Sequence, residues 1–203
     1  QAFAWKELER ISRDLIAGVR ALHDAHVLHR DIKPENVMIR SDGSAVVMDI
    51  GVAELEGEHT LNTSVKDFLG SLRWASRQFI LEGGFEVADD VYSVAATLLY
   101  LWSGKEPYAE VKRKPAVAHY AAIQPPEVGE LMEGVPPRLR IMLEGALHSR
   151  RDRRPTLDQM LECIDSPDDA PYIEDELKRQ QGDRRGFEIL RLDAKKGGGF
   201  YAD

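Results

Sequence analysis

The residues of this chain best equipped for chemistry lie in one short run, His29-Arg30-Asp31-Ile32-Lys33-Pro34-Glu35-Asn36-Val37, and in the triplet Asp49-Ile50-Gly51, which begins thirteen residues after Asn36. Asp31 supplies a carboxylate that can accept a proton from an attacking hydroxyl or orient it. Asn36 and Asp49 supply hard oxygen donors of the kind that bind Mg²⁺. Together these groups suit phosphoryl transfer. The spacing between them accommodates a β-hairpin. Val37 to Arg40 and Ala45 to Met48 are β-prone, and Ser41-Asp42-Gly43-Ser44 carries the Asp-Gly pair that favours a tight turn. Such a hairpin brings Asn36 and Asp49 to the same end, where two oxygens can share one cation.

His-Arg-Asp, four further residues, Asn, and then Asp-x-Gly at this distance resemble the catalytic loop of the eukaryotic-like serine/threonine protein kinases, in particular their C-terminal lobe. The resemblance covers roughly residues 1 to 165. It implies a mainly α fold, the helical bundle of the kinase C-lobe with a small β-hairpin beside the catalytic loop, and ATP and Mg²⁺ as cofactors. It implies that Asp31 receives the substrate hydroxyl and that Lys33 stabilises the transferring γ-phosphate. Asn36 and Asp49 would hold Mg²⁺, while Lys33, Glu35 and Met38 would also face the nucleotide, Met38 beneath adenine. His29 is expected to pack beneath the triplet as a core residue, and Ile50 below the metal site. Gly51 would let the backbone turn out of the strand. Arg30 would be within reach of a phosphate on the stretch from Val52 to Leu69, where Thr60, Thr63 and Ser64 are the hydroxyls available.

The same resemblance places Ser71 near Asp31 and Lys33, and Lys33 with Ser71 favours Ser/Thr over Tyr as acceptor. Asp90, with Asp89 as the alternative, would hydrogen-bond the backbone of the catalytic loop. There is one departure. Where the family has Ala-Pro-Glu this chain has Ala75-Ser76-Arg77, so the acidic partner of a buried arginine, here Arg154, has changed sign. Breaking a buried ion pair costs about 3 to 5 kcal/mol. Either Arg77 turns to solvent, or a carboxylate such as Asp152, Glu82 or Glu86 moves in. On that basis this end of the segment is expected to be loose, and Arg77→Glu to raise the melting temperature.

The elements that must position these groups are mostly helices. Trp5, Leu8, Ile11, Leu15, Ile16, Val19 and Leu22 recur at helical spacing and form one apolar stripe ending near His23. The run from Asp90 through Trp102 is apolar on nearly all sides, as in a helix surrounded by protein. Its acidic start suits a helix N-terminus, and Ser103-Gly104 and Pro107 stop it. Further helices are expected over Arg138 to Leu147 and Leu157 to Ile164, with Pro125-Pro126 and Pro136-Pro137 as punctuation. Ser166 to Pro171 reads as a linker, Tyr172 to Gln181 as a charged helix and Gly186 to Leu192 as a strand. The expected organisation is therefore a kinase C-terminal lobe over 1–165 and a linker with a charged tail over 166–203.

With 203 residues, 31% charged and 43% hydrophobic, the chain has the composition of a globular protein. A net charge of -8 disfavours general affinity for nucleic acid or anionic membrane, and no segment is apolar for long enough to span a bilayer. The single cysteine, Cys163, leaves no internal disulfide and fits a reducing, cytoplasmic compartment. No strand followed by a Gly-rich turn, and no lysine and glutamate of the N-terminal lobe, precede the first helix. The N-lobe is therefore expected to be absent from this fragment and to be one of its partners, with ATP and a Ser/Thr-bearing protein substrate. Two other functions compete: a pseudokinase-like binding or scaffold fragment, favoured by Arg77 and the expected absence of the N-lobe, and an aminoglycoside-type phosphotransferase. Lys33-Pro34-Glu35, Ser71 and Arg154-Pro155-Thr156 argue against the latter.

Overall fold

The apolar stripe of the first helix and the wholly apolar run after Asp90 can be satisfied together only if the second element is enclosed by the others, and the computed structural model has that arrangement. It describes residues 5–50, 54–55, 73–106 and 136–166. The chain divides into two units, Gln1–Ser166 and Pro167–Asp203, and every described residue lies in the first.

Helix α1 spans Trp5–Asp24. Its Leu8, Ile11, Leu15, Ile16 and Val19 are buried, one per turn or nearly so. A short strand β1 (Val27–Leu28) follows and pairs antiparallel with β4 (Glu54–Leu55). Strands β2 (Val37–Ile39) and β3 (Ala45–Val47) form the hairpin, with Val37 opposite Val47 and Ile39 opposite Ala45. Its turn closes through Gly43 N–H to Arg40 O at 2.8 Å, and Gly43 has φ +80°, a conformation that favours glycine. Helix α1 fixes the hairpin from below: Asp14 Oδ2 accepts from the Ala45 N–H at 2.9 Å, and Arg10 Nη1 donates to Asp42 O at 3.1 Å. Gly18 faces β3, where an added Cβ would lie 3.3 Å from Val47 Cγ2, so the absence of a side chain permits the close approach.

Helix α2 (Arg77–Glu82) is capped by Ser76, whose hydroxyl accepts from the Phe79 N–H. Helix α3 (Val87–Ser103) is buried from Asp89 through Leu99 and ends at Gly104 in the left-handed region. Helix α4 (Pro137–Ala146) begins with the helix-compatible Pro137. A 3-10 turn (Arg151–Arg153) leads to α5 (Leu157–Asp165), whose Thr156 and Gln159 cap each other reciprocally. Leu15, Ile16 and Val19 of α1, Leu98 and Leu99 of α3, Leu139 and Leu143 of α4, and Met160 and Ile164 of α5 form one core around α3.

The architecture is thus mostly helical with two-stranded pieces of sheet. Helix α3 starts at Val87, before Asp90, because Glu86 takes the N-cap position and the acids fall within the first turn. Helices α4 and α5 lie within a residue of their expected bounds. Among the described residues no helix is long and apolar enough to cross a membrane. Gly51, Thr60, Thr63, Ser64, Ser71, Pro125-Pro126 and the features expected over 167–203 lie outside the described residues.

Candidate active site

The loop from His29 to Asn36 is held from its backbone. Asp90, fully buried in the first turn of α3, accepts from His29 N–H at 2.8 Å and from Arg30 N–H at 3.0 Å. Its Oδ2 also lies 2.9 Å from His23 Nε2 at the end of α1. These bonds hold Arg30 at φ +70°, which a residue with a Cβ adopts only when its surroundings impose it. The Arg30 guanidinium lies over the Phe85 ring, 5.9 Å from its centroid.

His29 is fully buried and works through both ring nitrogens. The Asp31 N–H lies 3.3 Å from Nδ1, and a backbone N–H can only donate, so Nδ1 is the acceptor. Nε2 therefore carries the proton and donates to Met48 O at 3.1 Å. The ring joins the backbone of Asp31 to the residue just before Asp49.

Asp31 itself is asymmetric. Its Oδ2 accepts from Lys33 Nζ at 2.5 Å and from Asn36 Nδ2 at 3.1 Å. Its Oδ1 is buried and has no hydrogen-bond partner among the described residues. A buried acceptor left open in this way is costly unless something fills it, and a hydroxyl donor matches it chemically. Asn36 sits in a 3-10 turn (Pro34–Asn36) started by Pro34, and its amide nitrogen also donates to Asp31 O at 2.7 Å. With the nitrogen so engaged, the amide oxygen remains for a cation.

The hairpin returns the backbone before Asp49 to Asn36. Met48 N–H donates to Asn36 O at 2.8 Å, one step beyond the Val37–Val47 pair, so Asp49 follows directly at the open end of the hairpin. Asp49 is exposed at φ +59°, a region that Asp tolerates better than most residues. Among the described residues no group of three or more His, Cys, Asp or Glu could hold a metal. One amide and one carboxylate nevertheless fit Mg²⁺, which takes one or two protein ligands and fills its octahedron with phosphate oxygens and water.

Two expectations need correction. Ile50 is not packed away as expected: it follows the left-handed Asp49 and is 57% exposed. The anion beside Arg154 is none of Asp152, Glu82 or Glu86. It is Asp89, 3.1 Å from Arg154 Nη1, while Asp152 pairs with Arg150, Glu82 accepts from Gln78 and Glu86 pairs with Arg151. Burial draws the Arg154 guanidinium below its ordinary pKa, and the charge of Asp89 opposes that shift. Met38 is 41% exposed on β2, available to a partner or ligand, and Glu35 is also exposed. Sequence reasoning missed His23 as the third donor to Asp90. The available signal was two acids opening a helix otherwise without polar relief, since buried carboxylates demand donors.

A family model described as the protein kinase domain matches residues 1–163. The chain therefore belongs to the protein kinase family, and its relatives are serine/threonine kinases of the eukaryotic-like type. It is 31% identical over 148 residues to mitogen-activated protein kinase kinase kinase 19 of Mus musculus, covering 70% of this chain and 11% of the relative. It is 29% identical to mitogen-activated protein kinase kinase kinase 8 of Rattus norvegicus, covering 94% of this chain and 40% of the relative. It is 28% identical to the serine/threonine-protein kinase PknL of Mycobacterium tuberculosis, covering 63% and 32%. The chain spans well under half the length of these relatives.

Proposed function

We propose that this chain carries the catalytic lobe, over residues 1–165, of an ATP- and Mg²⁺-dependent kinase that phosphorylates Ser or Thr hydroxyls of proteins. The observation that carries this reading is the division of labour at Asp31: one oxygen is steadied by Lys33 and Asn36, and the other is buried without a hydrogen-bond partner among the described residues. The acceptor hydroxyl gives its proton to Oδ1 as its oxygen bonds to the γ-phosphorus, and the bond from that phosphorus to the β-γ bridging oxygen breaks to release ADP. Asn36 Oδ1 and the Asp49 carboxylate would hold Mg²⁺, which offsets the charge of the phosphates. Lys33, released from Asp31 by competition with a more highly charged anion, would stabilise the group in transfer.

Met38, Ile39, Met48 and Ile50 are large apolar side chains left exposed around the hairpin. In this reading Met38 lies beneath adenine, and the others offer an apolar surface to an N-terminal lobe. The binding-module reading rested in part on Arg77, and Asp89 removes that part by giving Arg154 its anion. A cytoplasmic setting belongs to the proposal, since a chain with one cysteine, Cys163, forms no internal disulfide.

The test is transfer of labelled phosphate from Mg-ATP to Ser, Thr and Tyr peptide pools by the full-length protein. Label on Ser and Thr, abolished by Asp31→Asn, is expected. Binding of Mg-ATP with no transfer to any pool would overturn the catalytic reading in favour of a pseudokinase.

A further inference from the structure

The first turn of α3 carries two adjacent buried carboxylates, and they serve different parts of the molecule. Asp90 holds the catalytic loop and His23. Asp89 holds everything on the other side. Its Oδ1 accepts from the Ser76 hydroxyl, from Arg151 Nε at 3.1 Å and from Arg154 Nη1 at 3.1 Å. Its Oδ2 accepts from Glu86 N–H at 2.9 Å and lies 2.7 Å from Arg151 Nη2.

Both arginines have further anchors. Arg154 donates to Ala88 O at 2.7 Å and to His148 O at 2.9 Å. Arg151 donates to Gly84 O at 2.6 Å and pairs with Glu86 at 2.9 Å. Ser76 is the outlier in this set. Its fully buried hydroxyl both donates to Asp89 and accepts from Phe79 N–H at 3.1 Å, so it links the start of α2 to the charged cluster. Residues 73–76 reach α3 through this hydroxyl and through Trp74, whose ring meets that of Tyr100 edge-on with centroids 5.6 Å apart.

We infer that Asp89 is a positioning residue that fixes the segment ending at Ser76 relative to the catalytic loop, by suspending both from consecutive residues of one rigid helix turn. Because the anion stands on α3, α2 itself needs no carboxylate, and Arg77 is compatible with a firmly seated segment. This inference deepens the kinase reading, since on that reading the suspended segment faces the acceptor peptide.

Hydrogen exchange of the 203-residue chain tests the suspension without catalysis. In Asp89→Asn the Phe79 amide and its neighbours in α2 are expected to lose protection about tenfold or more, while the His29 and Arg30 amides keep theirs. Asp90→Asn is expected to give the opposite footprint. Adding Arg154→Met to Asp89→Asn is expected to recover part of the lost melting temperature, because the charge left unpaired is then removed. Should Asp89→Asn fail to fold, Ser76→Ala interrupts the same link and is expected to expose α2 alone. Uniform loss of protection, or an unchanged Phe79, would overturn the inference.

In the intact protein Asp89→Asn is expected to raise KM for the acceptor peptide with KM for ATP unchanged. Loss of kcat with both KM values unchanged would overturn the positioning role. Absence of activity in the unmodified protein would instead count against the kinase reading and leave the exchange result standing.

Discussion

At the scale of single residues, Asp31 and Thr97 make a useful contrast. Both carry a buried oxygen without a hydrogen-bond partner among the described residues, but one lies in the loop beside Asn36 and the other inside α3. On the kinase reading the Asp31 oxygen receives a hydroxyl and so has a use; one in a sealed core does not. Asp31→Asn keeps an oxygen for Lys33 and Asn36, so the melting temperature should hardly move, while phosphate transfer by the intact protein should fall by roughly 10²- to 10⁴-fold. Thr97→Val replaces the idle hydroxyl with a methyl of similar size and should stabilise the fold by about 1 kcal/mol or less. For a chain of this length that is a rise of about 2 to 4 °C per kcal/mol, measurable by calorimetry. Asp90→Ala strips the buried His29 and Arg30 N–H groups of their acceptor, and at about 1 to 3 kcal/mol for each group should lower the melting temperature by many degrees. Arg77→Glu should give no gain from supplying Arg154 with an anion, since Asp89 already stands there.

At the scale of elements, the hairpin shows how local rules position chemistry. Its type, its turn and the return of Asp49 to Asn36 were legible because Asp-Gly and two short β-prone runs leave few other solutions. Gly43→Ala should destabilise by about 1 to 2 kcal/mol, since a side chain at φ +80° is strained and the new methyl would displace the Arg10 guanidinium that bonds Asp42 O. Denaturant melts of the two proteins check this. The Asp42 carboxyl is held below its ordinary pKa by the Ser44 hydroxyl and then by the Ser44 N–H. A lowered folded-state pKa contributes stability above the unfolded value of 3.8 that is lost as pH falls through the folded value. Ser44→Ala should therefore narrow the difference in stability between neutral pH and pH below 3.8. The effect should be small, because the group lies in solvent.

At the scale of the whole molecule, the helical order was readable because apolar periodicity and capping residues act locally. Which charged side chains meet was not. Asp89 lies 65 positions from Arg154, and nothing in their neighbourhoods along the chain announces the pair. Ile50 failed for a related reason: a triplet signals its chemistry, but the left-handed turn that aims the middle residue depends on the surrounding fold. The exposed apolar side chains of the hairpin have a thermodynamic consequence on the kinase reading. The 203-residue chain by itself should bind Mg-ATP very weakly, and a titration giving micromolar affinity would contradict the expectation that a second lobe completes the cleft. The imidazole of His29 has a wider effect than its size suggests. Because one ring ties the amide of Asp31 to the carbonyl preceding Asp49, the two residues that the kinase reading makes proton acceptor and cation ligand form a single mechanical unit. A disturbance at either one reaches the other through a flat, stiff strut, so the two halves of the site should loosen together when that ring is replaced by a flexible side chain.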